Sequence, residues 1–103
     1  MIIETLTVTT TPTTIFDLVE TARGTDLNKS DAITEALFRT PSIGTAKIYI
    51  EETGTATAVT LLDPADGQAF ASYSDFDLKQ CLLSSESGSV SVGIVASQVG
   101  VRA

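Results

Sequence analysis

Strict alternation of small polar and apolar residues near the end of the chain is the sequence feature that most restricts its fold. Four apolar residues fall on one face of an extended segment there: Val90, Val92, Ile94 and Ala96. The opposite face receives small or polar residues: Ser89, Ser91, Gly93 and Ser97. A period of two residues is typical of a β-strand with one buried face. The other segments of the chain must therefore supply an apolar layer that covers this strand.

The residues before this strand predict its partner. Residues 81–84 have the composition of a short strand, and the connection that follows contains Glu86 and Gly88. Glycine adopts the positive φ angle that a tight antiparallel turn requires. We therefore expect a C-terminal β-hairpin over residues 81–97, with Cys81 as a small buried hydrophobic residue.

The N-terminal segment from Ile2 to Thr10 also alternates. Its inward side is expected to hold Ile2, Leu6 and Val8, and its outward side Ile3, Thr5, Thr7 and Thr9. Threonine and other β-branched residues favour extended backbone. The strand should end before Pro12, because proline lacks the N–H group that a sheet ladder needs. We expect the threonine side of this strand to face solvent.

A short helix is predicted between Thr14 and Gly24. Thr14 stands three residues before Asp17, which is the spacing of a capping box, and glycine is favoured just after a helix ends. The apolar residues have helical spacing and are expected to face the core: Ile15, Leu18, Val19 and Ala22. So short a helix is marginal alone, and it should therefore dock on the sheet.

The middle of the chain predicts several short strands. Residues 31–42 fit either a helix capped by Ser30 or a strand from about Ile33, and we favour the strand. Residues 45–51 alternate, with Ala46, Ile48 and Ile50 inward and Lys47, Tyr49 and Glu51 outward. Residues 56–62 and 68–73 also predict strands, separated by a turn at 63–67. Residues 75–80 are expected to be a connection with room for one helical turn.

These elements indicate a single mainly β domain over residues 1–103. Serine and threonine make up about a quarter of the chain, and only 18% of the residues are charged. That balance favours pleated strands over long charged helices. Six or seven short strands with one N-terminal helix predict an antiparallel β-sandwich or a partly open barrel.

The charge of the chain argues against two classes of partner. The net charge is −7, and the six basic residues are scattered along the sequence: Arg23, Lys29, Arg39, Lys47, Lys79 and Arg102. Such a charge repels phosphate groups unless the fold gathers the basic residues on one face. We therefore expect no nucleic-acid partner and no membrane partner. The sequence shows no secretion signal or apolar span, so synthesis in a cytoplasm is expected.

The residue types predict a protein that is not an enzyme and needs no cofactor or metal. The chain has no histidine, so Cys81 has no imidazole to activate it. Asp75 and Asp77 fit either a glycosidase pair or a solvated turn, and together with Asp63 and Asp66 they fit either a calcium site or turn chemistry. Tyr49 and Tyr73 fit either a sugar-stacking platform or packing. In each case we favour the structural interpretation.

Taken together, the order of elements resembles that of small structural proteins in the virions of tailed bacteriophages. The resemblance covers about residues 6–97. It is carried by the threonine-rich opening at 6–13, the helix at 15–19, the strand at 44–50, the segment at 76–80 and the closing hairpin. Residues 26–42 depart from the pattern.

The resemblance implies a capsid decoration or accessory protein, made in the bacterial cytoplasm and bound in many copies to the outer head shell. Its implied partners are the major capsid protein or other virion proteins, with homo-oligomers or arrayed copies. The outward residues expected to form the interface are Ile3, Thr5, Thr7, Thr9 and Tyr49. Two other roles remain open, namely a tail or head-tail component and a carbohydrate- or receptor-binding module.

Overall fold

The computed structural model describes residues 1–24, 32–40, 44, 46–54 and 57–98. Within them the chain forms eight strands and one α-helix, arranged as two antiparallel four-stranded sheets. The elements are β1 (Ile2–Val8), β2 (Thr13–Thr14), α1 (Ile15–Arg23), β3 (Ala32–Arg39), β4 (Ile48–Glu52), β5 (Val59–Leu62), β6 (Phe70–Asp77), β7 (Cys81–Ser85) and β8 (Val90–Gln98). A single 3-10 turn, Pro64–Asp66, lies between β5 and β6.

The two sheets differ in strand length. The first, which we name the long sheet, has the order β1-β8-β3-β6, and the second, the short sheet, has the order β2-β7-β4-β5. The predicted mainly β architecture is confirmed, and the arrangement is that of a β-sandwich. The described part of the chain has eight strands, and six or seven were predicted. The additional strand is β2, whose two residues follow Pro12 and pair with Leu82 and Leu83.

The predicted C-terminal hairpin is wrong. Its two strands do form, but β7 pairs with β2 and β4 in the short sheet, whereas β8 pairs with β1 and β3 in the long sheet. The connection between them crosses from one sheet to the other. Gly88 in this connection has the expected positive φ angle of 63°. Alternation predicts which face of a strand is buried. It does not predict which sheet the strand joins, because both sheets bury one face in the same core.

The core lies between the sheets. Val92, Ile94 and Ala96 of β8 are buried, as their alternation predicts, and Phe38 of β3 is among the largest fully buried side chains. Cys81 is also buried, which confirms its prediction as a packed thiol. The inward side of β1 is confirmed as well, since Ile2, Leu6 and Val8 are at most 1% exposed.

Helix α1 closes one side of the sandwich. The Thr14 hydroxyl accepts a hydrogen bond from the Asp17 N–H at 3.1 Å, and Gly24 ends the helix with a φ angle of 74°, so both predicted caps are confirmed. The helix packs against β1 of the long sheet and against β2 and β7 of the short sheet. Ala22 is exposed, contrary to prediction, because the last turn extends beyond the core.

The bounds of four strands differ from prediction. Residues 32–39 form a strand, as favoured. Strand β6 continues to Asp77, where a connection was expected, because its pairing with β3 places Phe76 opposite Ile33 and buries it. Aspartates disfavour strands, which is why sequence reasoning ended this one early. Strands β1, β4 and β5 are shorter than their predicted segments. Predicted strand residues 45 and 56 and the helix cap Ser30 lie outside the described residues.

Candidate functional site

The exposed apolar side chains gather on one face of the long sheet. Six large hydrophobic residues are exposed within the described part of the chain, and five of them belong to this face or adjoin it: Met1, Ile3, Leu37, Phe70 and Val95. The sixth, Val59, is in the short sheet. We name the first five the outer apolar face. A clustered arrangement of this kind marks an interaction site, whereas single exposed hydrophobic residues are ordinary.

Strand pairing brings four of these residues together, one from each strand of the long sheet. Ile3 of β1 lies opposite Val95 of β8, and Val95 lies opposite Leu37 of β3, so the three form one row across the sheet. Phe70 of β6 belongs to the next row, opposite Arg39. Because the strands of this sheet are not consecutive in the chain, the face is assembled from distant segments.

An open groove of about 690 Å³ runs over the face. Ala22 at the end of α1 and Phe70 of β6 are among its lining residues. Gly93 contributes no side chain there, and a Cβ atom at that position would lie 3.5 Å from Cγ of Arg39. The aliphatic part of the Arg39 side chain therefore lies beside the backbone of Gly93.

Two charged residues of opposite sign flank the central leucine of the face. Glu35 and Arg39 precede and follow Leu37 by two residues on β3, and all three are exposed. A β-bulge between Ile33 and Glu35 shifts the alternation, so Glu35 lies on the outer side although Ile33 and Ala36 are buried. The two charged residues are four positions apart, which corresponds to about 13 Å along an extended strand.

The predicted interface residues are only partly brought together. Ile3, Thr5 and Thr7 are exposed on the outward side of β1, as expected, and Ile3 and Thr5 line the groove. Thr9 is exposed beyond the end of β1, where its hydroxyl accepts a hydrogen bond from the Thr11 N–H at 3.3 Å. Tyr49 is half-buried on β4 and belongs to the other sheet. It is therefore not part of the outer apolar face.

Strand β1 is an edge of the long sheet, but α1 packs against it. A helix beside an edge strand obstructs the approach of a further strand. The opposite edge strand, β6, carries Asp75 in a left-handed conformation with a φ angle of 55°. An irregular, charged edge also discourages pairing with another chain. The face of the long sheet is therefore a better interaction site than its edges.

Sequence reasoning missed most of the outer apolar face. Leu37 and Val95 occupy outward positions of strands whose other side is buried, and Phe70 occupies an outward position of β6, whose other side is half-buried near it. The available signal was a large hydrophobic residue at a position where alternation calls for a polar one. Val95 shows it best, because it interrupts the small polar series formed by Ser91, Gly93 and Ser97.

The other candidate sites do not assemble. Asp63 and Asp66 belong to the turn before β6, where the Asp66 N–H donates to the Asp63 carbonyl at 3.0 Å. Among the described residues, no three carboxylate or thiol side chains are grouped so that they could hold a metal ion. Tyr73 lies in the long sheet, apart from Tyr49, and its ring packs edge-on against Phe76 at 5.2 Å.

Burial makes the single thiol a poor nucleophile. Burial, together with the negative charges of Glu52 and Asp77, raises the pKa of Cys81 to about 11. Thiolate, which is the reactive form, is therefore scarce at neutral pH.

Comparison with protein families, with curated proteins and with solved structures finds no match to this chain. In the part of the chain that the structure describes, no helix has the length and apolar character needed to cross a membrane.

Proposed function

We propose that this protein is a non-enzymatic structural component of a tailed-phage virion, a capsid accessory protein held in many copies on the outer head shell. The observation that carries the proposal is the outer apolar face, a cluster of exposed hydrophobic side chains on one side of the long sheet. Its partners are the major capsid protein or other virion proteins. The resemblance of the element order to such proteins supplies the biological setting.

The composition of the face suits protein contacts. Burying a leucine, isoleucine or phenylalanine side chain contributes about 1.5–3 kcal/mol each, and three such residues lie on the face: Ile3, Leu37 and Phe70. Ordering costs consume much of that energy in a single contact. A symmetric shell repeats the contact many times, so modest contacts sum through multivalency.

The charge of the chain suits a position outside the head. A net charge of −7 opposes contact with packaged DNA, and an outward-facing coat protein avoids that conflict. Apolar contacts should also hold as salt rises, unlike phosphate contacts, whose affinity falls steeply between about 50 and 200 mM salt.

The test is to add purified protein to expanded phage heads that lack it and to image the particles by cryo-electron microscopy. We expect a regular array of density on the outer shell that persists at 200 mM salt. The variant Phe70→Ser should weaken the array, and Val59→Ser, which changes an exposed residue of the short sheet, should leave it intact.

Two results would replace the proposal. Density confined to a few copies at the portal or tail would make the protein a head-tail or tail component. No density on the particles, together with binding on a glycan array, would make it a carbohydrate-binding module.

A further inference from the structure

We infer that two copies of this chain associate through the outer apolar face as a twofold symmetric dimer, with the two long sheets packed face to face. The inference goes beyond the proposed function and does not depend on it, because it concerns the purified protein alone. In the free protein it commits the face to one occupant, a second copy, which must dissociate before the same face contacts a virion partner. The arrangement of charge on the face specifies how that copy is oriented.

The charges on β3 are self-complementary. Glu35 and Arg39 lie on either side of Leu37 at equal sequence separation. A twofold axis that lies in the interface and crosses the strands at Leu37 reverses the strand direction in the partner. Glu35 then faces Arg39 of the partner subunit, and Arg39 faces Glu35 of the partner subunit. A twofold interface requires such reciprocal contacts, and one strand supplies both members of the pair.

The same axis places apolar side chains on one another. The row formed by Ile3, Val95 and Leu37 runs across the sheet, in the direction of the axis. Each residue of that row therefore meets its own counterpart in the partner. The neighbouring position Ser97 of β8 is small, and facing sheets pack about 10 Å apart.

The size of the face fits a reversible dimer. Four strands spaced about 4.8 Å apart, each seven to nine residues long, present about 500 Å² per copy or about 1,000 Å² for two. This area is near the lower limit of about 1,000 Å² for a specific interface. We therefore expect a Kd in the micromolar range rather than an obligate dimer.

The central part of the face is also free of net charge. The two copies each carry a charge of −7, which opposes association in general. Between the row of Glu35 and the row of Arg39, the paired positions on β8 are the uncharged Ser97, Val95 and Gly93. Two copies that associate through this part of the face therefore place no like charges in direct contact there.

The first test is sedimentation velocity over about 1–200 µM protein, a range that spans micromolar affinity. We expect a reversible shift from the chain mass of 10.8 kDa to twice that mass. Leu37→Lys places two ammonium groups against each other at the axis and should raise the dimer Kd more than about a hundredfold. Val59→Lys adds the same charge to an exposed position of the short sheet and should change the Kd less than about threefold.

The second test exchanges the two charges. With Arg39→Glu alone, two negatively charged residues face each other at both contacts of the dimer. With Glu35→Arg alone, two positively charged residues do so. Each single variant should therefore raise the dimer Kd more than about tenfold. The double variant with both changes restores the pairs in reversed orientation and should recover the Kd to within about threefold. Both positions are exposed, and circular dichroism melts should confirm that every variant remains folded.

A protein that stays monomeric at 200 µM overturns the inference, as does an oligomer that survives Leu37→Lys. A dimer that the double charge exchange fails to restore overturns the proposed orientation. The outcome is separable from that of the proposed function. Absence of head binding at protein concentrations below the dimer Kd counts against the function alone, and head binding by a strict monomer counts against the dimer alone.

Discussion

The phenolic hydroxyl of Tyr73 in β6 donates a hydrogen bond to Oε1 of Glu52 at the end of β4, and this contact joins the two sheets of the sandwich. The hydrogen bond to Glu52, followed by partial burial, raises the pKa of Tyr73 from 10.0 to about 12. The protonated phenol is therefore the form that the folded protein favours.

Replacing Tyr73 by phenylalanine should lower the free energy of unfolding by about 1 kcal/mol, because one hydrogen bond is lost from a partly solvated position. The folded pKa lies above the unfolded value, so this contribution is complete below pH 10 and is lost as pH rises through 12. Urea unfolding at pH 8 and at pH 11 should show a smaller difference between wild type and variant at the higher pH.

Tyr49→Phe is the matched control for this measurement. Tyr49 is half-buried on β4, and the hydrogen bond between Tyr73 and Glu52 does not involve it. The control should therefore cost less than Tyr73→Phe at pH 8. Equal losses in the two variants would show that the Tyr73 hydrogen bond does not stabilise the protein.

Val92→Asp should unfold the protein or destabilise it by several kcal/mol. Val92 is 0% exposed in the core, and an unpaired buried carboxylate is a large cost against a total stability of about 5–15 kcal/mol. Val95→Asp is the control, because it lies three residues further along the same strand and is 43% exposed. Thermal melts followed by circular dichroism should separate the two variants clearly, and comparable melting temperatures would remove Val92 from the core.

Strand β8 shows what alternation predicts and what it does not. The burial of Val92, Ile94 and Ala96 follows from the period of the strand alone. The identity of the partner strands does not follow from the period, because β8 lies between β1 and β3, which are far from it in sequence. The predicted hairpin failed for this reason: nearness in the chain suggested β7 as the partner, and the fold assigned β7 to the other sheet.

The candidate interface was difficult to predict for the same physical reason. Ile3 could be identified from β1 alone, since it is an outward apolar residue of a clear strand. Leu37, Phe70 and Val95 become neighbours of Ile3 only when the order β1-β8-β3-β6 is known. Helix α1, by contrast, was predicted with both caps, because the signals at Thr14 and Gly24 depend on local hydrogen bonds.

Cys81→Ala should lower the free energy of unfolding by about 1 kcal/mol, since a small buried side chain is shortened and a small cavity remains. The native thiol should react with a disulfide reagent at pH 8 much more slowly than the thiol of the urea-unfolded chain. Its raised pKa of about 11 leaves little thiolate, and the side chain is 1% exposed. Rapid labelling of the native protein would contradict the assignment of Cys81 as a packed residue.

The crossing between the sheets gives the last prediction. Gly88 lies in the connection from β7 to β8 with a φ angle of 63°, and its carbonyl accepts a hydrogen bond from the Ser85 hydroxyl. Gly88→Ala should lower the free energy of unfolding by about 1 kcal/mol, because an L-residue is strained in the left-handed region. Chemical denaturation of the two proteins under the same conditions would measure the difference.

Gly93→Ala is the matched control for Gly88→Ala, because Gly93 lies in the regular part of β8 without a positive φ angle. A Cβ atom there would make an ordinary contact with Arg39, 3.5 Å from its Cγ. Alanine loses less backbone entropy on folding than glycine, so this variant should be neutral or more stable by about 0.5 kcal/mol. If Gly88→Ala proved as stable as Gly93→Ala, the connection would tolerate a side chain, and the conformation of Gly88 would not be what allows the chain to pass from one sheet to the other.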